Sequence, residues 1–206
     1  MLWQIFAPQE DIAQTNPFTK VKLLDSKLWL IITFFGAQSG LYYAGMTWLS
    51  PYLIAQGLTT QASNLYLSLF ATLQMIFSFV LPVLINRLNK LKEGLYTCLV
   101  IATVGVLGLL LFPAQPLFFV ILAATGLSVL FTIALTFPVL FSESAAQASV
   151  YTSYVQMFGY IIGGLLPILI GQVIDLTGNY SLIWYIALTL ISLVFWSGNR
   201  IFARQK

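Results

Sequence analysis

No histidine occurs anywhere in this chain, and cysteine occurs once. The missing imidazoles exclude histidine proton relays, histidine-bearing zinc sites and Ser-His or Cys-His catalysis within it. A lone thiol, Cys98, cannot form an intrachain disulfide, and its apolar neighbours read as packing. Charge is scarce too, at 7% of 206 residues, against about 25% in a soluble domain. Nine basic and six acidic side chains cannot clothe a soluble surface of this size, while hydrophobic residues reach 59%. The chain therefore reads as an integral membrane protein whose first partner is the lipid bilayer. The formal charge of +3 is no nucleic-acid signal, because the basic residues cluster between hydrophobic runs. A basic leader with a small-residue cleavage site is also missing, so no signal peptide is expected.

The hydrophobic runs are six, at about 28–54, 62–85, 95–111, 117–141, 145–174 and 180–202. Each is long enough to cross a hydrocarbon core of about 30 Å with some tilt. Ser144 with Gln147 three residues on forms a capping-box start for the fifth. Ahead of them, residues 1–27 read as a cytoplasmic linker. Its first seven residues look like the last turns of a helix, broken by Pro8. Lys20, Lys22 and Lys27 precede the first run; Arg87, Lys90 and Lys92 lie between the second and third; Arg200, Arg204 and Lys206 follow the sixth. Six crossings put all nine on one side, which the positive-inside rule makes cytoplasmic together with both termini. The runs also divide into two triplets, 28–111 and 117–202, that start on opposite sides. Such inverted triplets build each half of many secondary transporters, although any six-helix protein divides this way.

Polar side chains inside the runs carry the functional signal. Gln38 and Tyr42 stand four apart on one helical face, with Ser39 and Tyr43 beside them. Amides and phenols at membrane depth are tolerable when they face protein or water. Gln74 is a lone mid-membrane amide. Ser149, Ser153, Gln156 and Tyr160 form a second stripe in the fifth run, near Gly159, Gly163, Gly164, Pro167 and Gly171. The glycines read first as close helix packing. Ser128, Thr132 and Thr136 recur at four-residue steps, a spacing that hydroxyls bonded to their own helix also produce. No ionisable residue lies in the middle of any run; Glu143 and Asp175 sit at boundaries. Catalytic residues, metal ligands and a cofactor are not expected, and the chain does not read as an enzyme.

The stretch GAQSGLYYAGMTWLSPYLIAQGL, residues 36–58, resembles the seventh helix of major facilitator superfamily permeases of the cyanate and nitroimidazole transporter branch. Gln38, Tyr42 or Tyr43, and Trp48 occupy the places of that helix's glutamine, aromatic and tryptophan, with Ser50 inserted before Pro51. Residues 154–160 with Pro167, Gly171, Asp175 and Gly178 resemble the eleventh helix. The basic loop 86–92 sits where the superfamily has an Asp-Arg loop, with Asn86 in place of the acid. The resemblance implies an all-α membrane fold of six transmembrane helices, two inverted three-helix repeats, equal to the C-terminal half of a twelve-span permease. Residues 1–14 would then be the end of the sixth helix and the central loop. It further implies a partner, either a second six-helix half or another copy of the chain, and a small polar or anionic solute. The expected solute contacts are Gln38, Tyr42, Tyr43, Trp48, Gln74, Thr132, Gln156 and Tyr160, with Trp48 closing the outer side. The expected setting is the bacterial inner membrane. The alternatives are a substrate-binding subunit of an energy-coupling-factor importer and a non-transporting fragment.

Overall fold

The computed structural model describes residues 25–88 and 90–204. They form six helices and, among the described residues, no strand: α1 Ser26–Ala55, α2 Thr60–Arg87, α3 Leu91–Leu111, α4 Pro116–Leu140, α5 Ala145–Thr177 and α6 Leu182–Ala203. The linker and helix tail expected before residue 25 lie outside the described residues. The six runs and the six helices coincide within a few residues, and local chemistry sets the differences. Asp25 accepts the Lys27 amide and starts α1 two residues early. Thr59 does the same for α2. Ser144 caps α5 by accepting the Gln147 amide, while Gln147 Oε1 accepts from Glu143 N, one residue further back than in the ideal box. Gly178 ends α5 at φ 67°, a left-handed cap that other L-residues adopt at a cost. Asn179 takes the Ser181 amide and holds a turn, so α6 begins only at Leu182.

Five of the helices are long and apolar enough to cross a membrane. The sixth, α1, is 30 residues long and uncharged beyond Lys27, but its amide, hydroxyls, phenols and glycines dilute its hydropathy. It lies at the centre instead: 18 of its 30 residues are buried, against four of 28 in α2 and six of 33 in α5. Lipid need not solvate α1, because protein does.

The packing has an internal twofold. Exchange α1 with α4, α2 with α5 and α3 with α6, and every packed pair falls on another packed pair. Two contiguous triplets of opposite topology give this result, which is the inverted-repeat plan of half a major facilitator fold. α1 and α4 meet at its axis; α2 and α5 flank them and do not touch each other. Small residues permit the closest approaches. A side-chain carbon on Gly105 would collide with the Ala123 backbone, and one on Gly126 with the Ala102 backbone, so α3 and α4 pack backbone to backbone. Between α1 and α5, Gly163 lies against Ser39 and Gly40, and Gly159 against Phe35.

Hydrogen bonds tie the helix ends in two layers. Arg204 donates to Ser26, Tyr151 to Asp25, and Tyr96 to Asn199 at one end. Tyr52 donates to the Leu109 carbonyl and Ser50 to Asn64 at the other. Lys27, Arg87, Lys90, Lys92, Arg200 and Arg204 all fall at the first end, hereafter the basic end.

Candidate solute cavity

A cavity of about 330 Å³ lies near mid-height, where the central pair α1 and α4 meets the flanking pair α2 and α5. At 1.5 Å of rise per residue, its deepest residues are roughly 20 Å from either helix end. α1 contributes Gln38, Ser39, Tyr42 and Tyr43. α2 contributes Gln74 and Ser78 with Ala71 and Met75, α4 Leu127, Ser128 and Phe131, and α5 Tyr160.

Two carboxamides form the deep polar part. Gln38 is 5% exposed and its Nε2 donates to Ser39 Oγ at 2.9 Å, which leaves its carbonyl oxygen and a second N–H for other partners. Gln74 is 7% exposed, and its Nε2 has no hydrogen-bond partner. A buried amide donor without a partner is uncommon in folded proteins and marks a place where a water or ligand belongs. Two other buried groups, Ser63 Oγ and Trp184 Nε1, share that condition but do not line the cavity. Ser128 is back-bonded to the Thr125 carbonyl, which leaves its oxygen able to accept.

Aromatic rings form the rim. Tyr42 and Tyr43 meet edge to face at 5.4 Å, and Tyr160 meets Phe35 at 5.1 Å. Tyr42, Phe131 and Tyr160 are each about two-fifths exposed. The lining carries no Lys, Arg, Asp or Glu. Such a site can hydrogen-bond and stack a small solute but supplies no counter-charge. Among the described residues, no cluster of three or more His, Cys, Asp or Glu side chains could hold a metal.

Of the eight expected solute contacts, five come together here: Gln38, Tyr42, Tyr43, Gln74 and Tyr160. Three lie outside the lining. Trp48 is half-buried near the end remote from the basic one, where its Nε1 donates to the Pro167 carbonyl at 3.1 Å and its ring covers Gly171. It pins α1 to α5. Thr132 Oγ1 donates across to the Ser78 carbonyl of α2 at 3.2 Å, beside the cavity wall. Gln156 is half-buried one turn before Tyr160, and its side chain makes no hydrogen bond among the described residues. Ser78, Ser128 and Phe131 join the lining although sequence spacing did not select them as contacts. Ser128 had a signal in its four-residue stripe; Phe131, an apolar ring in an apolar run, had none of its own.

Comparison with known proteins gives a consistent picture. The sequence profile of the Major Facilitator Superfamily matches residues 4–167. The chain is 29% identical to the uncharacterized transporter YycB of Bacillus subtilis over 173 residues, 82% of this chain and 43% of that protein. It is 28% identical to the cyanate transport protein CynX of Escherichia coli over 170 residues, 82% of this chain and 44% of that one. With the 2-nitroimidazole transporter of Escherichia coli the identity is 27% over 156 residues, 74% of this chain and 39% of that protein. The chain thus matches less than half the length of each of these relatives.

Proposed function

The chain belongs to the major facilitator superfamily, in the cyanate and nitroimidazole branch, and from that membership we propose that it serves as half of a permease for a small polar or anionic solute. It is a multi-pass membrane protein. The observation that carries the proposal is the pair of buried carboxamides, Gln38 and Gln74, on one uncharged mid-height cavity, with the Gln74 donor unpartnered. In hydrocarbon that arrangement costs free energy; facing a polar solute, it gains a bond.

The solute is held by the amides of Gln38 and Gln74 and the phenols of Tyr42, Tyr43 and Tyr160. The rim aromatics suit a small planar or rod-like molecule. Cyanate and 2-nitroimidazole, named for two relatives, are of that size and accept hydrogen bonds, so they are the first probes. An anion's counter-charge comes from outside this bundle, because the lining has none. That need favours a second six-helix half or another copy across the α2–α5 face. Alternating access then consists of the two bundles rocking about the cavity. Gln156 and Thr132 border this face and contact the solute once the second bundle extends the cavity. Trp48 holds α1 and α5 together on the outer side and limits opening there. The basic end faces the cytoplasm, by the positive-inside rule, and the chain acts by binding and release without enzymatic chemistry.

Uptake of labelled cyanate and 2-nitroimidazole, in cells expressing the full chain with a six-helix partner, tests the reading. Gln38→Ala and Gln74→Ala should each lower uptake about tenfold at limiting solute, the worth of one good hydrogen bond. Gln156→Ala should lower it less. Parental uptake in both Gln38→Ala and Gln74→Ala removes the cavity assignment. No uptake in any assembly leaves the non-transporting alternative standing. Family membership removes the energy-coupling-factor alternative.

A further inference from the structure

A second cavity, of about 440 Å³, opens at the basic end between the first turns of α1 and the last turns of α6. It shares no lining residue with the solute cavity. Its walls include Ser26, Trp29 and Thr33 of α1 and Trp196, Arg200 and Arg204 of α6.

Arg200 and Arg204 stand four residues apart and therefore share one face of α6. Arg204 Nη1 donates to Ser26 Oγ at 2.9 Å, leaving most of its five N–H donors uncommitted. Arg200 makes no ion pair or hydrogen bond among the described residues. The acid nearest in sequence, Asp25, does not line the cavity. Its Oδ1 accepts the Lys27 amide and its Oδ2 the Tyr151 hydroxyl of α5, so both oxygens are engaged elsewhere. The first turn of α1 adds partial positive charge from its free amides. Arginines near a helix C-terminus can serve the helix dipole alone. That explains the charges but not a cavity between them, nor the aromatic rings beside it.

Trp29 and Trp196 are 46% and 48% exposed on that cavity. Half-exposed indoles at a helix end mark headgroup depth, between hydrocarbon and water. Basic pockets between spanning helices at this depth suit lipid phosphates. We infer that the cavity binds the headgroup of an anionic phospholipid. The guanidinium groups of Arg200 and Arg204 take the phosphate, Ser26 adds a hydroxyl, and the two indoles cover the glycerol and first acyl carbons. The lipid bridges the start of α1 to the end of α6. The inference rests on the membrane setting and is independent of the transport reading.

The test uses the full chain in phosphatidylcholine vesicles containing a fixed fraction of brominated phosphatidylglycerol, with tryptophan quenching as the readout. Quenching should exceed that given by the same fraction of brominated phosphatidylcholine. Arg200→Gln removes no hydrogen bond or ion pair among the described residues, and should weaken the relative association constant for phosphatidylglycerol about fivefold, with a further fivefold when Arg204→Gln is added. Lys92→Gln, at the same end but outside the cavity, should leave the constant within about twofold. Equal quenching by the two brominated lipids in the parent chain overturns the inference. So does a Lys92→Gln loss as large as that of Arg200→Gln, which would mean general surface charge. If glycerol phosphate in free solution displaces phosphatidylglycerol at equal concentration, the site is one for soluble anions and the lipid assignment falls.

Discussion

Replacing Gln74 with leucine should leave the bundle at least as stable while it disables uptake. The amide is 7% exposed and its Nε2 has no partner. An unpaired buried donor costs about 1–3 kcal/mol, and leucine removes it. Leucine is similar in volume but branches earlier, and fitting it against Met75 and Leu127 costs up to about 1 kcal/mol. Water inside a 330 Å³ cavity can satisfy part of the amide, so the lower end of the range applies. The net expectation is no loss of stability and a gain of up to about 1 kcal/mol, or up to about 4 °C in Tm for a chain of this size. The assay is thermal unfolding of the purified chain in one detergent, with Gln74→Met as a shape control that should behave alike. Uptake by the same variants in the full assembly should fall about tenfold. A structural amide, paired within the fold, would show the reverse order: stability lost, uptake following only through lower protein levels. A Gln74→Leu chain that unfolds about 1 kcal/mol more easily, or that transports at the parental rate, refutes the reasoning.

Four further substitutions or probes test the packing. A side-chain carbon on Gly163 would lie 2.6 Å from Ser39 Cβ, so Gly163→Val should cost about 1–3 kcal/mol in denaturant unfolding. Gly164, with nothing within 4 Å, should tolerate alanine and gain up to about 1 kcal/mol from helix propensity. Trp48→Phe removes the bond to the Pro167 carbonyl and should destabilise by about 0.6 kcal/mol, the average for interhelical bonds in membranes, and by no more than about 1.7; no change would show that the indole does not pin α1 to α5. Cys98 is 6% exposed between α3 and its neighbours, so maleimide labelling should be negligible in the native chain and complete after denaturation.

Helix number and helix ends were legible because they depend on local chemistry. Uncharged runs of spanning length must become helices in lipid, where the backbone has no water to bond. Ser144 starts α5 through a cap that needs no tertiary partner. The stripe of Gln38 and Tyr42 was legible as well, since a spacing of four puts both on one face whatever that face meets. Which way each helix is rotated was not legible. Gln156 and Tyr160 share a face of α5, yet only Tyr160 reaches the cavity. Trp48 lies on the same helix as Gln38 and Tyr42 but is turned to α5 by the contact with Pro167 and Gly171. Thr132 follows Phe131 by one residue, and that step of about 100° takes it from the lining to the Ser78 carbonyl.

Composition alone required a membrane, and the uncharged runs between clusters of basic residues marked six helices. Both follow from the cost of charge in hydrocarbon, a property of each residue regardless of its neighbours. That Gln38 and Gln74 share one cavity, that α1 is the shielded centre, and that two arginines and two indoles frame a pocket at the basic end are different in kind. Each joins residues from two or more helices, and only the packing of glycines, rings and caps brings those helices into register.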